Sequence, residues 1–345
     1  MKQTADGARR AKPFVVALAG RELFPSFFGA EEQRRLAERF RWVRVGGRRL
    51  TPAVGRQLSR ADALVTTWDS PRLDETLCRA APRVRMIAHC GGEVKSRFAL
   101  PLFRRLTITN AAEPMARHVA ELAAAFLLYE ARNIDRYRAE LRQRSTAIYE
   151  TRHLRGVTGE SLLDGTVGLI GFGRIGRALV ELLTPFGVRF VVFDPYAGRS
   201  VPRGARVEFA TLDRALGASR LLVLAAALND ETRNLLDRRR LARMRPGASI
   251  INVARGEIVD LDALTAQVLT GRLRCALDVT DPVEPLPGNH PLRRAPGAVL
   301  TPHIGAGADV VRRQMAAIVI DELERHFDGR RARNRVTPAM LARMT

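Results

Sequence analysis

The sequence predicts an α/β protein built on parallel sheets, and three observations predict it. Short apolar runs alternate with stretches of helical periodicity along most of the chain. One run leads directly into a G-x-G-x-x-G turn, and reactive side chains collect at the ends of several later runs. Alternation on this scale places strands in parallel order with crossover helices between them.

The elements follow in order. PFVVALAG (13–20), ALVTT (63–67), VRMIAHC (84–90) and LTITN (106–110) read as strands of a first sheet. The largely apolar run from His118 to Arg132 reads as a buried connecting helix. Val167 to Ile170 is a short apolar strand, followed by Gly171, Gly173 and Gly176, a helix from about Arg174 to Leu183, and a second strand Val188 to Phe193 that ends in Asp194. The segments 220–228, 248–256, 273–279 and 298–303 continue that sheet, with a helix Asp260–Leu269 among them. The final helix, about Asp309–Asp328, carries Val310, Val311, Met315, Ile318, Val319 and Leu323 at helical spacing. There is no repeat, low-complexity segment or long linker. This order fits two Rossmann/flavodoxin-like domains. Residues 118–304 would form a nucleotide domain inserted into a second domain made of 1–117 and 305–345, with the ligand cleft between them.

The glycine turn sets the first functional expectation. A G-x-G-x-x-G alone is weak, because glycine-rich turns often only close a loop. Here both strands, the helix and an acidic residue about twenty positions on are in register, which selects a dinucleotide site. Gly171 would make the tight turn, Gly173 would let backbone approach the pyrophosphate, and Gly176 would let the helix pack on the strand. The helix N-terminus would hold the phosphates. Asp194 would accept hydrogen bonds from the ribose hydroxyls and repel a 2′-phosphate, favouring NAD over NADP. Arg199 and Arg203, just beyond it, weaken that preference.

Composition bounds the rest. A chain of 345 residues, 46% hydrophobic, is long enough for about two domains with real cores. Lys and Arg number 57 against 36 Asp and Glu, a formal charge of +21, but the cations are scattered and aromatics are only 6%. That pattern suits a field attracting small anions better than a nucleic-acid groove. Cys78, Cys90 and Cys275 cannot all pair and have no metal-ligand spacing, which fits a reducing compartment. The start MKQTADGARRAKP has no apolar signal core, and no run approaches a membrane span. A cytoplasmic protein with neither a membrane nor a nucleic acid as partner is expected.

Three segments end apolar strands with reactive groups: INVARGEIVD (251–260) with Arg255, LDVTDPVEPLP (277–287) with Glu284, and VLTPHIGAG (299–307) with His303. Taken singly, each has an ordinary explanation as a loop or surface residue. Together, at strand ends of a nucleotide-binding sheet, they converge on the cofactor edge. The glycine fingerprint, the N-x-A-R-G turn, L-D-V-x-x-x-E-P and T-P-H-I-G occur in an order that resembles the D-isomer-specific 2-hydroxyacid dehydrogenases, over about residues 60–330. The resemblance implies that Arg255 binds the substrate carboxylate and polarises its carbonyl. It makes His303 the general acid/base and Glu284 the hydrogen-bonding partner of the histidine. It further implies cofactor contacts from the backbone of Arg174 and Ile175, from Ala254, from Asp194, and from Asp278 to the nicotinamide carboxamide; Asp278 also reads as a cap on a strand end. The chemistry agrees. Reduction of a 2-keto acid builds negative charge on the carbonyl oxygen, which calls for a proton donor near neutral pH and a fixed cation that matches a carboxylate.

One stretch departs from the pattern. Where many family members carry a G-x-G-x-D loop, this chain has HCGGEVKSRF (89–98). Gly91 and Gly92 are expected to bind substrate, and Lys95 to add a second anion-binding charge or simply to be solvated. Cys90 reads as buried packing, and AAAL (225–228) reads as a looser wall on the adenine side. The expected activity is NAD-dependent interconversion of a small anionic D-2-hydroxy acid and its 2-keto acid, of the glyoxylate or hydroxypyruvate type, by a homodimer. Two rivals are kept. A formate dehydrogenase is disfavoured because that branch usually carries Gln at the Glu284 position. An NAD-sensing corepressor-like binding protein shares the fold and would not turn over.

Overall fold

The computed structural model of the chain describes residues 11–46, 51–142, 161–341 and 344; most of the N-terminal segment considered for a leader lies outside them. The chain divides into two compact units, Met1–Pro114 with Asp309–Thr345, and Met115–Ala308. Both are sheets of parallel strands with helices, as the alternation predicts.

In the first unit, β1 (Phe14–Leu18), β2 (Arg41–Val45), β3 (Ala63–Thr66), β4 (Met86–His89) and β5 (Thr107–Asn110) are ordered β2-β1-β3-β4-β5. This is the flavodoxin-like doubly wound order. β1, β3 and β4 are buried along their whole length, which is why they read as continuous apolar runs. β2, with sequence RWVRV, is half-exposed at the sheet edge, and its arginines hid it from the sequence pattern.

The helix Asp309–Phe327 packs Val311, Met315, Val319 and Leu323 inward, whereas Val310, expected on the same apolar face, is 53% exposed. Buried Glu322 on this helix accepts from the amides of Arg333 and Asn334 at 3.0 and 2.9 Å. It thereby holds the following segment so that Val336 N reaches Ile108 O of β5.

The second unit contains β6 (Thr166–Ile170), β7 (Arg189–Phe193), β8 (Arg206–Phe209), β9 (Leu221–Leu224), β10 (Ala248–Asn252), β11 (Leu273–Leu277) and β12 (Ala298–Leu300), ordered β12-β11-β10-β9-β6-β7-β8. The order reverses between β6 and β9, so the crevice outside the carboxyl end of β6 is where a ligand is expected. β8, with sequence RVEF, is a half-exposed edge strand that sequence reading missed for the same reason as β2. The predicted helix from His118 begins earlier, at Glu113, and runs to Ala131, with Val119, Ala123, Phe126 and Leu127 in the core of this unit. Asp260, expected to open a helix, is the N-cap of Leu261–Leu269, its carboxylate accepting from Ala263 N at 2.8 Å. Among the described residues no helix is long and apolar enough to cross a membrane.

Candidate active site

The glycine turn leaves β6 with Gly171 at φ +96°, a conformation that favours glycine. A side chain there would also strike the backbone of Ala226, 2.5 Å from its Cβ, so the AAAL stretch presses directly on the turn. Gly176 lies against Gly171 O, 2.3 Å from where its Cβ would stand, which seats the helix Arg174–Leu183 on the strand. Gly173 is exposed, and a Cβ there would meet nothing within 4 Å. The first intrahelical bond is Arg177 N to Gly173 O, so the amides of Arg174, Ile175 and Gly176 precede it and remain for an anion. Asp194, at the end of β7, accepts from Phe172 N at 2.7 Å and from Tyr196 N at 2.9 Å, which fixes its carboxylate beside the turn. An open backbone cradle, a helix N-terminus and an oriented carboxylate fit a dinucleotide.

The catalytic candidates come from the carboxyl ends of β10, β11 and β12. After β10, the buried side chain of Asn252 accepts from Ala254 N at 3.0 Å and donates to Arg255 O at 2.9 Å, folding the N-x-A-R-G turn that presents Arg255. The guanidinium is half-buried and donates to Ala254 O at 2.7 Å. Gly256 is required by its neighbours. A Cβ there would stand 2.2 Å from the carbonyl carbon of Thr280 and 2.5 Å from Asp281 N, so this turn packs directly against the start of the loop that carries Glu284.

His303 adopts φ +55°, uncommon for a residue with a side chain. Asp278 holds it there. Its carbonyl accepts from His303 N at 2.9 Å. Its carboxylate, only 2% exposed, accepts from Thr301 Oγ1 at 2.6 Å, Ile304 N at 2.8 Å and Gly305 N at 3.0 Å. Of the two readings of Asp278, these contacts favour the cap on a strand end, and they put its carboxylate to use inside the protein. His303 Nδ1 then lies 2.5 Å from Glu284 Oε1, while Glu284 Oε2 accepts from Thr280 N at 3.3 Å. With Nδ1 committed to the carboxylate, Nε2 is the nitrogen left to exchange a proton. The imidazole is about half exposed, so a substrate can reach it.

Asn252 and Thr301 were not singled out from sequence. The only available signal was a polar residue inside an apolar run or beside the histidine motif. Among the described residues, no group of three or more His, Cys, Asp or Glu is placed to hold a metal.

The comparisons bear on this geometry. Residues 124–305 match the NAD-binding domain of the D-isomer-specific 2-hydroxyacid dehydrogenases. The chain belongs to that family. It is 33% identical over 275 residues to the glyoxylate reductase of Pyrococcus horikoshii, spanning 78% of this chain and 80% of that one. It is 35% identical over 210 residues to the human glyoxylate reductase/hydroxypyruvate reductase, spanning 59% of this chain and 62% of the human one. The TT0316 protein of Thermus thermophilus shares its fold with a TM-score of 0.75 at 31% identity, over 93% of this chain and all of that one. As a 2-hydroxyacid dehydrogenase the chain is an NAD-dependent oxidoreductase.

The remaining predicted residues lie in the first unit, on the loop after β4. Gly91 already donates its amide to His89 O at 3.0 Å, whereas the amide of Gly92 donates to no acceptor among the described residues. Lys95 is exposed. Glu93, which stands where the G-x-G-x-D pattern has its second glycine, accepts from Ser96 N and Ser96 Oγ, both at 2.7 Å, and so closes the turn with its side chain. Cys90 is buried, and burial raises the pKa of its thiol, which keeps it inert.

The brace on His303 can be tested. In Asp278→Asn, an amide N–H must face a backbone N–H at one of the three contacts. We expect a loss of about 2 kcal/mol of stability, the scale of a hydrogen bond to a charged group. Turnover should fall in parallel, read by urea denaturation and by NADH oxidation. Wild-type stability and turnover in the variant would contradict the brace.

Proposed function

We propose that this dehydrogenase reduces a small 2-keto acid of the glyoxylate or hydroxypyruvate type, and oxidises the matching D-2-hydroxy acid, with His303 as acid/base. The observation that carries this reading is the Glu284–His303 contact at 2.5 Å, set at a strand end beside the N-x-A-R-G turn. NAD supplies the hydride acceptor or, reduced, the hydride donor.

The chain's own groups do the rest. Arg255 binds the substrate carboxylate and polarises the carbonyl through a fork that matches a carboxylate geometrically. His303 gives a proton from Nε2 to the carbonyl oxygen as charge builds on it, and takes one back in oxidation. Glu284 orients the ring through its contact with Nδ1. Ala254 lends backbone to the cofactor, and Asp278, besides bracing His303, is assigned the nicotinamide carboxamide as a second role. Gly91, Gly92 and Lys95 are assigned to substrate binding, Gly92 through its amide and Lys95 through its charge.

The preference for NAD over NADP rests on Asp194. The division of labour places cofactor binding in residues 118–304 and substrate binding in 1–117 with 305–345. A homodimer is part of the same reading, with Leu128, Ile134 and Leu141 as exposed apolar positions suited to it. The corepressor-like alternative draws no support from the comparisons, whose named relatives are reductases and dehydrogenases.

Two experiments test this. With glyoxylate, hydroxypyruvate and pyruvate as substrates, His303→Ala should lose about 10²–10⁴-fold in kcat. Arg255→Ala should act chiefly through KM, and both variants should still bind NADH. A loss below about tenfold in His303→Ala would remove that residue from the mechanism. In fluorescence titrations NADH should bind more tightly than NADPH, and Asp194→Ala should narrow the gap. Equal or tighter NADPH binding by the wild type would contradict the role of Asp194.

A further inference from the structure

The peptide planes of the loop after β4 are set from the neighbouring strand. Gly91 O accepts from Ala111 N at 3.0 Å, and Gly92 O accepts from the side-chain amide of Asn110 at 2.9 Å. Both peptides are trans. In a trans peptide the N–H points opposite to the C=O it is bonded to. The two bonds therefore turn the amides of Gly92 and Glu93 away from the end of β5, and neither amide donates to an acceptor among the described residues. Gly92 is assigned to substrate through its amide, so its use depends on which way that peptide is turned.

Asn110 closes β5 and is only 5% exposed. Its backbone is held in turn. Asn110 N donates to Asn334 O at 3.2 Å and Val336 N to Ile108 O at 2.8 Å, so the segment Asn334–Val336 runs antiparallel along β5, the last strand of the first sheet. Glu322 anchors that segment. Its carboxylate, 1% exposed, accepts from Arg333 N at 3.0 Å, Asn334 N at 2.9 Å and Asn334 Nδ2 at 3.0 Å. Burying a carboxylate is costly unless donors surround it, so these bonds pin the segment firmly.

The contacts run from Glu322 to Asn334, from Asn334 to Asn110 and from Asn110 to Gly92, all within the first unit. Side chain and backbone have separate jobs at Asn110. Its N–H receives the C-terminal segment, and its carboxamide reaches the loop, so alanine there would keep the first bond and lose only the second.

We propose that Asn110 is a positioning residue for substrate: it holds the Gly92–Glu93 peptide so that the loop amides are presented to the substrate carboxylate, and the C-terminal segment clamped by Glu322 holds Asn110. This rests on the reading of Gly92 as a substrate contact. The carboxylate does not itself react, so its bonds to the loop form in the ground state and the transition state alike. Their loss raises KM and spares kcat.

The test uses glyoxylate or hydroxypyruvate, whichever the wild type reduces faster. Asn110→Ala should raise KM about tenfold or more, the scale of one hydrogen bond to a charged group. Its kcat should stay within about twofold, and its NADH Kd should be unchanged. Asn110→Asp, equal in size, sets an oxygen against Gly92 O and should do no better than alanine. Asn334→Ala, which loses its tie to Glu322 but keeps the backbone of the segment, should raise KM by a smaller factor. Hydrogen exchange of the peptide spanning 89–98 reads the loop without turnover. It should rise in both Asn110 variants, while the peptide spanning β1 exchanges as in the wild type.

Wild-type KM in folded Asn110→Ala or Asn110→Asp overturns the proposal and leaves the reductase reading standing. A lowered melting temperature with wild-type KM and exchange does the same, since it makes Asn110 a purely structural residue. A wild type that reduces no 2-keto acid defeats the reductase reading instead. Exchange then decides the rest: a rise supports Asn110 as the holder of the loop, and wild-type exchange contradicts it.

Discussion

The buried carboxylate of Asp278 is the interaction on which the catalytic geometry depends. Three donors converge on it from the segment 301–305, and its own carbonyl takes the His303 amide. Without that set of bonds, nothing described would hold His303 at φ +55°, a conformation costing on the order of 1 kcal/mol or more for a residue with a side chain. Charge-assisted hydrogen bonds contribute about 1.5–3 kcal/mol each, so the brace outweighs the strain. The strain in turn points the imidazole at Glu284. Specificity of conformation, and through it of protonation, thus begins one residue beyond the end of β11.

The same logic recurs along the carboxyl edge of the second sheet. Interior strands are largely apolar, so chemistry gathers where each strand stops. A polar side chain at that point folds the turn: buried Asn252 shapes the turn bearing Arg255, half-buried Asp194 gathers the amides of Phe172 and Tyr196, and buried Asp278 shapes the turn bearing His303. Glycines appear where backbones nearly touch, as at Gly171 against Ala226 and Gly256 against Thr280. The residues that meet ligands are held by others that do not, and substitution of the second kind should cost stability and activity together. Such sites are precise because their supports are buried in water-poor surroundings, where an unmet donor is expensive.

Much of this was legible in the sequence, for physical reasons. Fully buried parallel strands must be largely apolar, so β1, β3, β6, β9 and β10 announced themselves. β2 and β8 did not, because edge strands tolerate arginine on an open face. The glycine fingerprint, Arg255, Glu284 and His303 were readable because their residue types are dictated by chemistry and their motifs are local. Asp278 was readable as a functional residue but not as the brace of His303, since that role is set by a meeting of β11 with the turn after β12, distant in sequence. The Gly256 clash with Thr280 is hidden likewise. On the 89–98 loop the sequence flagged a departure at Glu93 and Lys95. It could not show that the Glu93 carboxylate closes the turn, or that His89 is buried with a nitrogen lacking an acceptor.

The central claim is that Glu284 holds the His303 ring for proton transfer without touching substrate, and the kinetics of Glu284 variants in both directions test it most directly. The carboxylate engages Nδ1 and leaves Nε2 for the proton exchange. Glu284→Ala removes that partner and should lower kcat about 10–100-fold in both reduction and oxidation while NADH binding is kept. Glu284→Gln, whose amide oxygen can still accept from Nδ1–H, should recover part of the loss. Wild-type kcat in Glu284→Ala, or a Gln variant no better than the Ala variant, would contradict the account.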